Sequence, residues 1–170
     1  LFISNEQTGC IIKNMENLPN LIESLKTVRY FRNLGLAELH TIATSGKIRT
    51  IQANAVIFTE GEPCAGMFVL MKGLVHLNKL GPRGQVNIMA VIEPIIMFNE
   101  VAVLDGGLTP LTAIAIQQSL VWQITHGSFQ ALIERIPQVG LSLLRVLARR
   151  NREMITHYED LSFRSVIART

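Results

Sequence analysis

The chain has 170 residues, 48% of them hydrophobic and 17% charged, with a formal net charge of +3. That is enough apolar material for one packed domain, or one domain and an appended helix, and it excludes wholesale disorder. The charge is too mild to mark a nucleic-acid binder, and it is uneven: residues 1–134 hold 9 basic and 10 acidic side chains, residues 135–170 hold 7 and 3.

Residues 14–47 read as helical. Leu18, Leu21, Ile22, Leu25 and Val28 fall on one face at helical spacing, with Pro19 suited to a first turn. After Asn33–Gly35, the residues Leu36, Leu39, Ile42 and Ala43 repeat the period in a shorter helix that Gly46 stops. This segment, residues 1–47, is expected to pack on the next one.

Residues 48–126 change character. Seven of the twelve glycines and three of the six prolines lie between residues 61 and 107. Between these breakers run short apolar segments at 56–59, 67–71, 74–80, 86–92, 111–116 and 120–125. Short, evenly spaced strands separated by turn signals predict an all-β barrel, roll or sandwich. Lys72–Gly73 and Pro82–Arg83–Gly84 read as hairpin turns, and Gln117–Gln118–Ser119 as a turn.

Helix returns from residue 127. Phe129, Leu132, Ile133 and Ile136 mark a short amphipathic helix with Ser128 as its N-cap. Pro137 opens a longer helix, and neither Gly nor Pro follows Gly140. Along it Leu147, Met154 and Leu161 are spaced by seven, as are Leu144, Asn151, Tyr158 and Ser165. This is the spacing of a coiled-coil seam, so Leu144, Leu147, Asn151, Met154, Tyr158 and Leu161 are the expected dimer interface, with Asn151 setting register. The rival reading is a helix that packs on its own β domain. Arg149, Arg150, Arg152, Glu153, Glu159 and Asp160 read as its outer face.

Catalytic signatures are missing. The chain holds no GxGxxG after a strand, no GxxxxGK[ST], no GxSxG and no HExxH. His40, His76, His126 and His157 stand apart, and Glu60 and Glu62 read as a solvated pair around Gly61. Neither a catalytic residue nor a metal ligand set is expected. Cys10 and Cys64 are too few for a disulfide scaffold or a four-cysteine metal site, which points to a reduced, cytoplasmic setting. The longest apolar stretches, 88–92 and 94–98, fall far short of the ~20 residues that cross a bilayer. The first residue, Leu1, is not Met, as in a fragment or processed chain.

Several segments in order carry a resemblance. Ile57–Phe58–Thr59–Glu60–Gly61–Glu62–Pro63 followed by Met67–Phe68–Val69–Leu70–Met71–Lys72–Gly73 resembles the opening strands of cyclic-nucleotide-binding-type β-rolls. Phe98–Asn99–Glu100–Val101–Ala102–Val103–Leu104 with Thr112–Ala113 resembles their phosphate-binding cassette, and Phe129, Leu132 and Pro137 the helix that follows. Leu147–Ala148–Arg149–Arg150 and Glu159–Asp160–Leu161–Ser162–Phe163–Arg164–Ser165–Val166 resemble the dimer helix of Crp/Fnr transcription regulators. The resemblance spans residues 28–169. It implies a mainly β fold with flanking helices: a double-stranded β-helix, or jelly-roll-like β-roll, over 48–136, and a long dimerisation helix over 137–165. It further implies a homodimer in which an effector inside the roll reorients a C-terminal helix-turn-helix on DNA. The chain ends at Thr170, before the family's helix-turn-helix, so this chain alone is not expected to read bases. The alternative is the regulatory β-roll of a kinase subunit or channel.

In nucleotide-binding members the cassette starts Gly-Glu and ends with Arg. The glycine admits the phosphate to backbone amides, the glutamate binds the ribose, and the arginine neutralises the phosphate. Here Glu100 is kept, Asn99 replaces the glycine, and Leu111 (or Pro110, without a gap) stands where the arginine belongs. A partly buried phosphate without its partner costs roughly 2–5 kcal/mol, so cyclic nucleotide is disfavoured. Iron–sulfur and haem versions are disfavoured by the two cysteines and by Phe98–Asn99–Glu100. The expected ligand-binding residues are Met97, Phe98, Asn99, Glu100, Val101, Leu111, Thr112, Ala113, Met154, Ile155 and Tyr158. They suit a small apolar or amphipathic effector, or a roll that these side chains simply fill.

Overall fold

The computed structural model describes the backbone of residues 18–167 and the side chains of residues 18–159. Helices α1 (Leu18–Thr27) and α2 (Leu36–Ser45) come first. Eight strands follow: β1 (Lys47–Ile51), β2 (Val56–Phe58), β3 (Met67–Lys72), β4 (Val75–Leu80), β5 (Val86–Ile92), β6 (Ile96–Phe98), β7 (Thr112–Ala115) and β8 (Ser119–Ile124). The six-residue helix α3 (Glu100–Asp105) separates β6 from β7, and α4 (His126–Arg135) and α5 (Pro137–Ile167) complete the chain. The expectations for residues 14–17 and for Cys10 lie outside the described residues.

The strands form two antiparallel four-stranded sheets, ordered β1-β8-β3-β6 and β2-β7-β4-β5. Between them Phe58, Phe68 and Phe98 pack with ring centroids 5.4–6.0 Å apart, joined by Leu70, Val75, Ile92 and Val121. The outer face of the first sheet meets the helices. There Met67, Val69, Met97, Trp122 and Ile124 pack against Leu21, Leu25, Phe31, Leu39, Phe129 and Leu143. Successive side chains of a strand point to opposite faces. Strand β3 therefore sends Phe68 and Leu70 into the roll and Met67 and Val69 towards the helices. Burial on both sides is why it reads as a continuous apolar run.

The mainly β roll with flanking helices and a long last helix is as the sequence leads one to expect. Local details differ. Lys72–Gly73 is not a hairpin turn: β3 pairs with β6 and β8, and β4 with β5 and β7. The turn instead carries the chain from one sheet to the other, with Gly73 at φ 111°. Residues 117–118 make the reverse crossing between β7 and β8, whereas Pro82–Arg83–Gly84 does close the β4–β5 hairpin. Thr125, not Ser128, is the N-cap of α4; its side chain accepts a hydrogen bond from the Ser128 N–H, which places Ser128 inside the helix. Gly46 ends α2 in an extended conformation, φ −120°. Its lack of a side chain answers a close approach instead, since a Cβ there would lie 2.6 Å from the Gln123 carbonyl oxygen.

Candidate functional site

Strand β6 leads into α3 through Asn99, whose φ of 65° lies in the left-handed region. Among residues with a Cβ, Asn tolerates that conformation best, and its Nδ2 donates to the Gly66 carbonyl at 2.8 Å. This is how the chain makes the tight turn without the glycine that the resemblance leads one to expect. Glu100 follows as the first residue of α3, 7% exposed.

The loop after α3 is pinned to the β2–β3 turn. Gly61 N–H donates to the Thr109 carbonyl at 2.8 Å and Thr109 N–H to the Glu62 carbonyl at 2.9 Å. Pro110 and Leu111 are thereby set opposite α3 across a cleft of about 210 Å³. Phe58, Leu77, Val101, Pro110 and Leu111 make its apolar walls, and Asn99, Glu100 and Arg150 its polar end.

Arg150 comes from α5, fifty residues away. Its Nη1 donates to Glu100 Oε1, and the same oxygen accepts the Tyr30 hydroxyl at 3.1 Å. The guanidinium also lies 5.9 Å from the centre of the Tyr30 ring, in cation–π range. Desolvation favours loss of the Arg150 proton, but Glu100, Tyr30 and Glu153 together outweigh it, so Arg150 holds its proton more tightly than a free guanidinium. Burial raises the Tyr30 hydroxyl well above its ordinary value, and the Glu100 charge raises it further. One cluster thus joins the segment after α1, the head of α3 and the body of α5. Sequence reasoning found Glu100 but missed Tyr30, and it read Arg150 as outer-face charge.

No cation replaces the missing cassette arginine at Pro110 or Leu111. Lys79 reaches Pro110 and is engaged: Nζ bonds Glu60 Oε1 at 2.6 Å and the Pro110 carbonyl at 3.1 Å. The Lys79 bond, then that from Leu80 N–H, lowers the Glu60 carboxyl below its usual range.

Of the residues expected to bind a ligand, the structure brings Asn99, Glu100, Val101 and Leu111 together in the cleft. Phe98 and Ala113 lie in the core between the sheets, and Met97 under the helices. Thr112 Oγ1 accepts the Glu60 N–H at 2.9 Å. Met154, Ile155 and Tyr158 stand exposed on α5, away from the cleft. Phe58, Leu77, Pro110 and Arg150 are the lining residues not expected from sequence. Of the expected interface, Leu144, Asn151, Met154 and Tyr158 are exposed and Leu147 is half-buried, while the Leu161 side chain is outside the described residues. Among the described residues no group of three side chains is placed to hold a metal, and no helix is long and apolar enough to cross a membrane.

Two rolled antiparallel sheets, a short helix at the cleft and a long last helix define the β-roll class. The family described as "Cyclic nucleotide-binding domain" matches residues 48–136, and the chain belongs to that family. Its relatives include regulators of the Crp type. It is 30% identical over 113 residues to the "CRP-like cAMP-activated global transcriptional regulator" of Mycobacterium tuberculosis, covering 66% of this chain and 50% of that one. The chain thus spans about half the length of that curated relative. The catabolite activator protein of Thermus thermophilus superposes with a TM-score of 0.74 at 27% identity, over 79% of this chain and 63% of that one. The regulatory domain of Toxoplasma gondii PKA, solved with cAMP, shares the fold: TM-score 0.65 at 20% identity, over 69% of this chain and 44% of that one.

Proposed function

We propose that this chain is the effector-sensing and dimerisation module of a Crp/Fnr-type transcription regulator, acting in the cytoplasm and not as an enzyme. Helices α1 and α2 lie against the roll; residues 48–136 are the sensor and residues 137–165 the dimer helix. DNA is read by a helix-turn-helix outside this chain. The observation that carries the reading is the course of α5. The helix closes the cleft with Arg150 and then continues with residues 151–159 all exposed. A ligand that changes the Arg150 end of the cleft acts on a helix whose far part is free to pair with a second copy, which is population shift across a dimer.

The reading frame beyond Thr170 tests this. A helix-turn-helix supports it; a kinase or membrane-spanning segment overturns it. Cyclic AMP is not the effector in this reading, because neither Pro110 nor Leu111 offers a cation, Lys79 is engaged with Glu60 and Arg150 with Glu100. Thermal denaturation of the 170-residue chain is expected to be unmoved by millimolar cyclic AMP. A saturable rise, worth about 2.7 kcal/mol at a hundred times the dissociation constant, overturns that part.

A further inference from the structure

The charges around the cleft are matched in pairs. Glu100 and Arg150 are in direct contact, and Lys79 and Glu60 are bonded to each other beside Pro110. Among the described residues no titratable group lines the cleft other than Glu100 and Arg150, and Tyr30, which meets them from outside the lining, is a neutral donor to Glu100 Oε1. An entering anion that takes a further N–H of Arg150 meets the Glu100 carboxylate at short range. That carboxylate is 9% exposed and already holds Arg150 and the Tyr30 hydroxyl. An entering cation that bonds Glu100 Oε2 shares that carboxylate with Arg150 and faces its guanidinium at short range. In both cases a like charge is brought to short range: water screens the 9%-exposed Glu100 side chain little, whereas the Arg150 side chain, 44% exposed, is screened more.

A neutral head meets neither obstacle. Glu100 Oε1 accepts two hydrogen bonds, whereas Oε2 accepts none among the described residues. A carboxylate offers acceptors only, so the matching head donates. We propose that the cleft selects a small molecule with an uncharged, hydrogen-bond-donating head, such as a hydroxyl, on an apolar body. The body packs between Phe58, Leu77, Val101 and Leu111, and the head bonds Glu100 without parting it from Arg150. At about 30 Å³ for each water-sized group, a volume of about 210 Å³ holds a body and head of roughly seven heavy atoms. This deepens the effector-sensing reading above and rests on it.

The test uses three probes with one tail: hexan-1-ol, hexanoate and hexylammonium. Each is titrated into the 170-residue chain at neutral pH and followed by the amide NMR signals of Val101 and Leu111. Hexan-1-ol is expected to give saturable shifts with an affinity at least about tenfold above the two charged probes. Glu100→Gln removes the counter-charge of Arg150 and is expected to turn the preference to hexanoate. Arg150→Met is expected to turn it to hexylammonium. Thermal denaturation identifies a variant that does not fold, and the wild-type series decides the matter without it. Equal or tighter binding of either charged probe to the wild type overturns the inference, as does the absence of cleft shifts with all three. Such a failure is separate from failure of the regulator reading, which is decided by the reading frame beyond Thr170.

Discussion

Tyr30, Glu100 and Arg150 lie 70 and 50 positions apart in pairs, and they meet at one carboxylate oxygen. Tyr30 is 3% exposed, so its hydrogen bond to a charged acceptor is worth about 1.5 kcal/mol. Its hydroxyl titrates higher in the folded chain than in the unfolded one, by burial first and the Glu100 charge second. A raised folded value gives stability that is fully present below the ordinary tyrosine value of about 10 and lost as pH rises beyond it. Tyr30→Phe is therefore expected to cost about 1.5 kcal/mol in urea unfolding at pH 7 and to lose stability less steeply than wild type above about pH 10. Parallel slopes for the two proteins would refute the buried Tyr30–Glu100 bond. The cluster also marks where sequence reading stopped. Glu100 was legible because its neighbours have the cassette pattern. Helical periodicity put Arg150 on a charged face without saying what faces it, and nothing near Tyr30 pointed to a partner 70 residues away.

The elements were more legible than their pairings. Strands with buried apolar runs or clean turn signals, β2 to β5, β7 and β8, are visible in the sequence. Strand β1 is not: it sits at the edge of its sheet, and only Ile48 and Ile51 are half-buried among exposed Lys47, Arg49 and Thr50. Strand β6 has three residues, too few to show a period. The Lys72–Gly73 turn looked like a hairpin because a Gly turn between apolar runs signals reversal, not whether the next run joins the same sheet. The two kinds of turn are separable by experiment. At Gly84 the φ is 79° and nothing lies within 4 Å of an added Cβ, so Gly84→Ala meets only the left-handed penalty, about 1–2 kcal/mol. At Gly73 the φ is 111°, and a Cβ would strike Ser119 Oγ and lie 2.7 Å from Ser119 Cα. Ser119 starts β8 and is itself buried, so it has nowhere to retreat. Gly73→Ala is expected to cost about 3 kcal/mol or more by the combined strain and overpacking. Equal losses for the two alanine variants in denaturant titrations would show that the sheet crossing at Gly73 is wrong.

At the scale of the molecule, two groups of exposed apolar side chains stand out among the described residues. One is on α5, where Leu144 is 62% and Tyr158 68% exposed, fourteen residues apart, with Met154, from the second seven-residue series, exposed between them. The other is the edge strand β5, where Val86, Ile88, Met89 and Val91 are exposed. Strand β5 buries Ile92 in the core and ends there, whereas α5 buries Val139 and Leu143 against the helical core and then runs on, 31 residues in all. A helix of that length projecting into water with apolar residues at a and d positions is a seam without its partner. The exposed Arg149–Glu153 ion pair at 3.3 Å gives it little support, since such pairs contribute about 0.3–0.5 kcal/mol. The expected state at micromolar concentration is thus a dimer paired along α5. Sedimentation equilibrium is expected to give twice the chain mass for the wild type and for Ile88→Glu, and the chain mass for Leu144→Glu combined with Tyr158→Glu. Circular dichroism should show that the double variant keeps the roll, because both positions are exposed and neither touches the core. If Ile88→Glu yields the monomer and the double variant stays dimeric, β5 is the interface. A ligand at the Arg150 end of the cleft would then have no direct path to a second copy through α5.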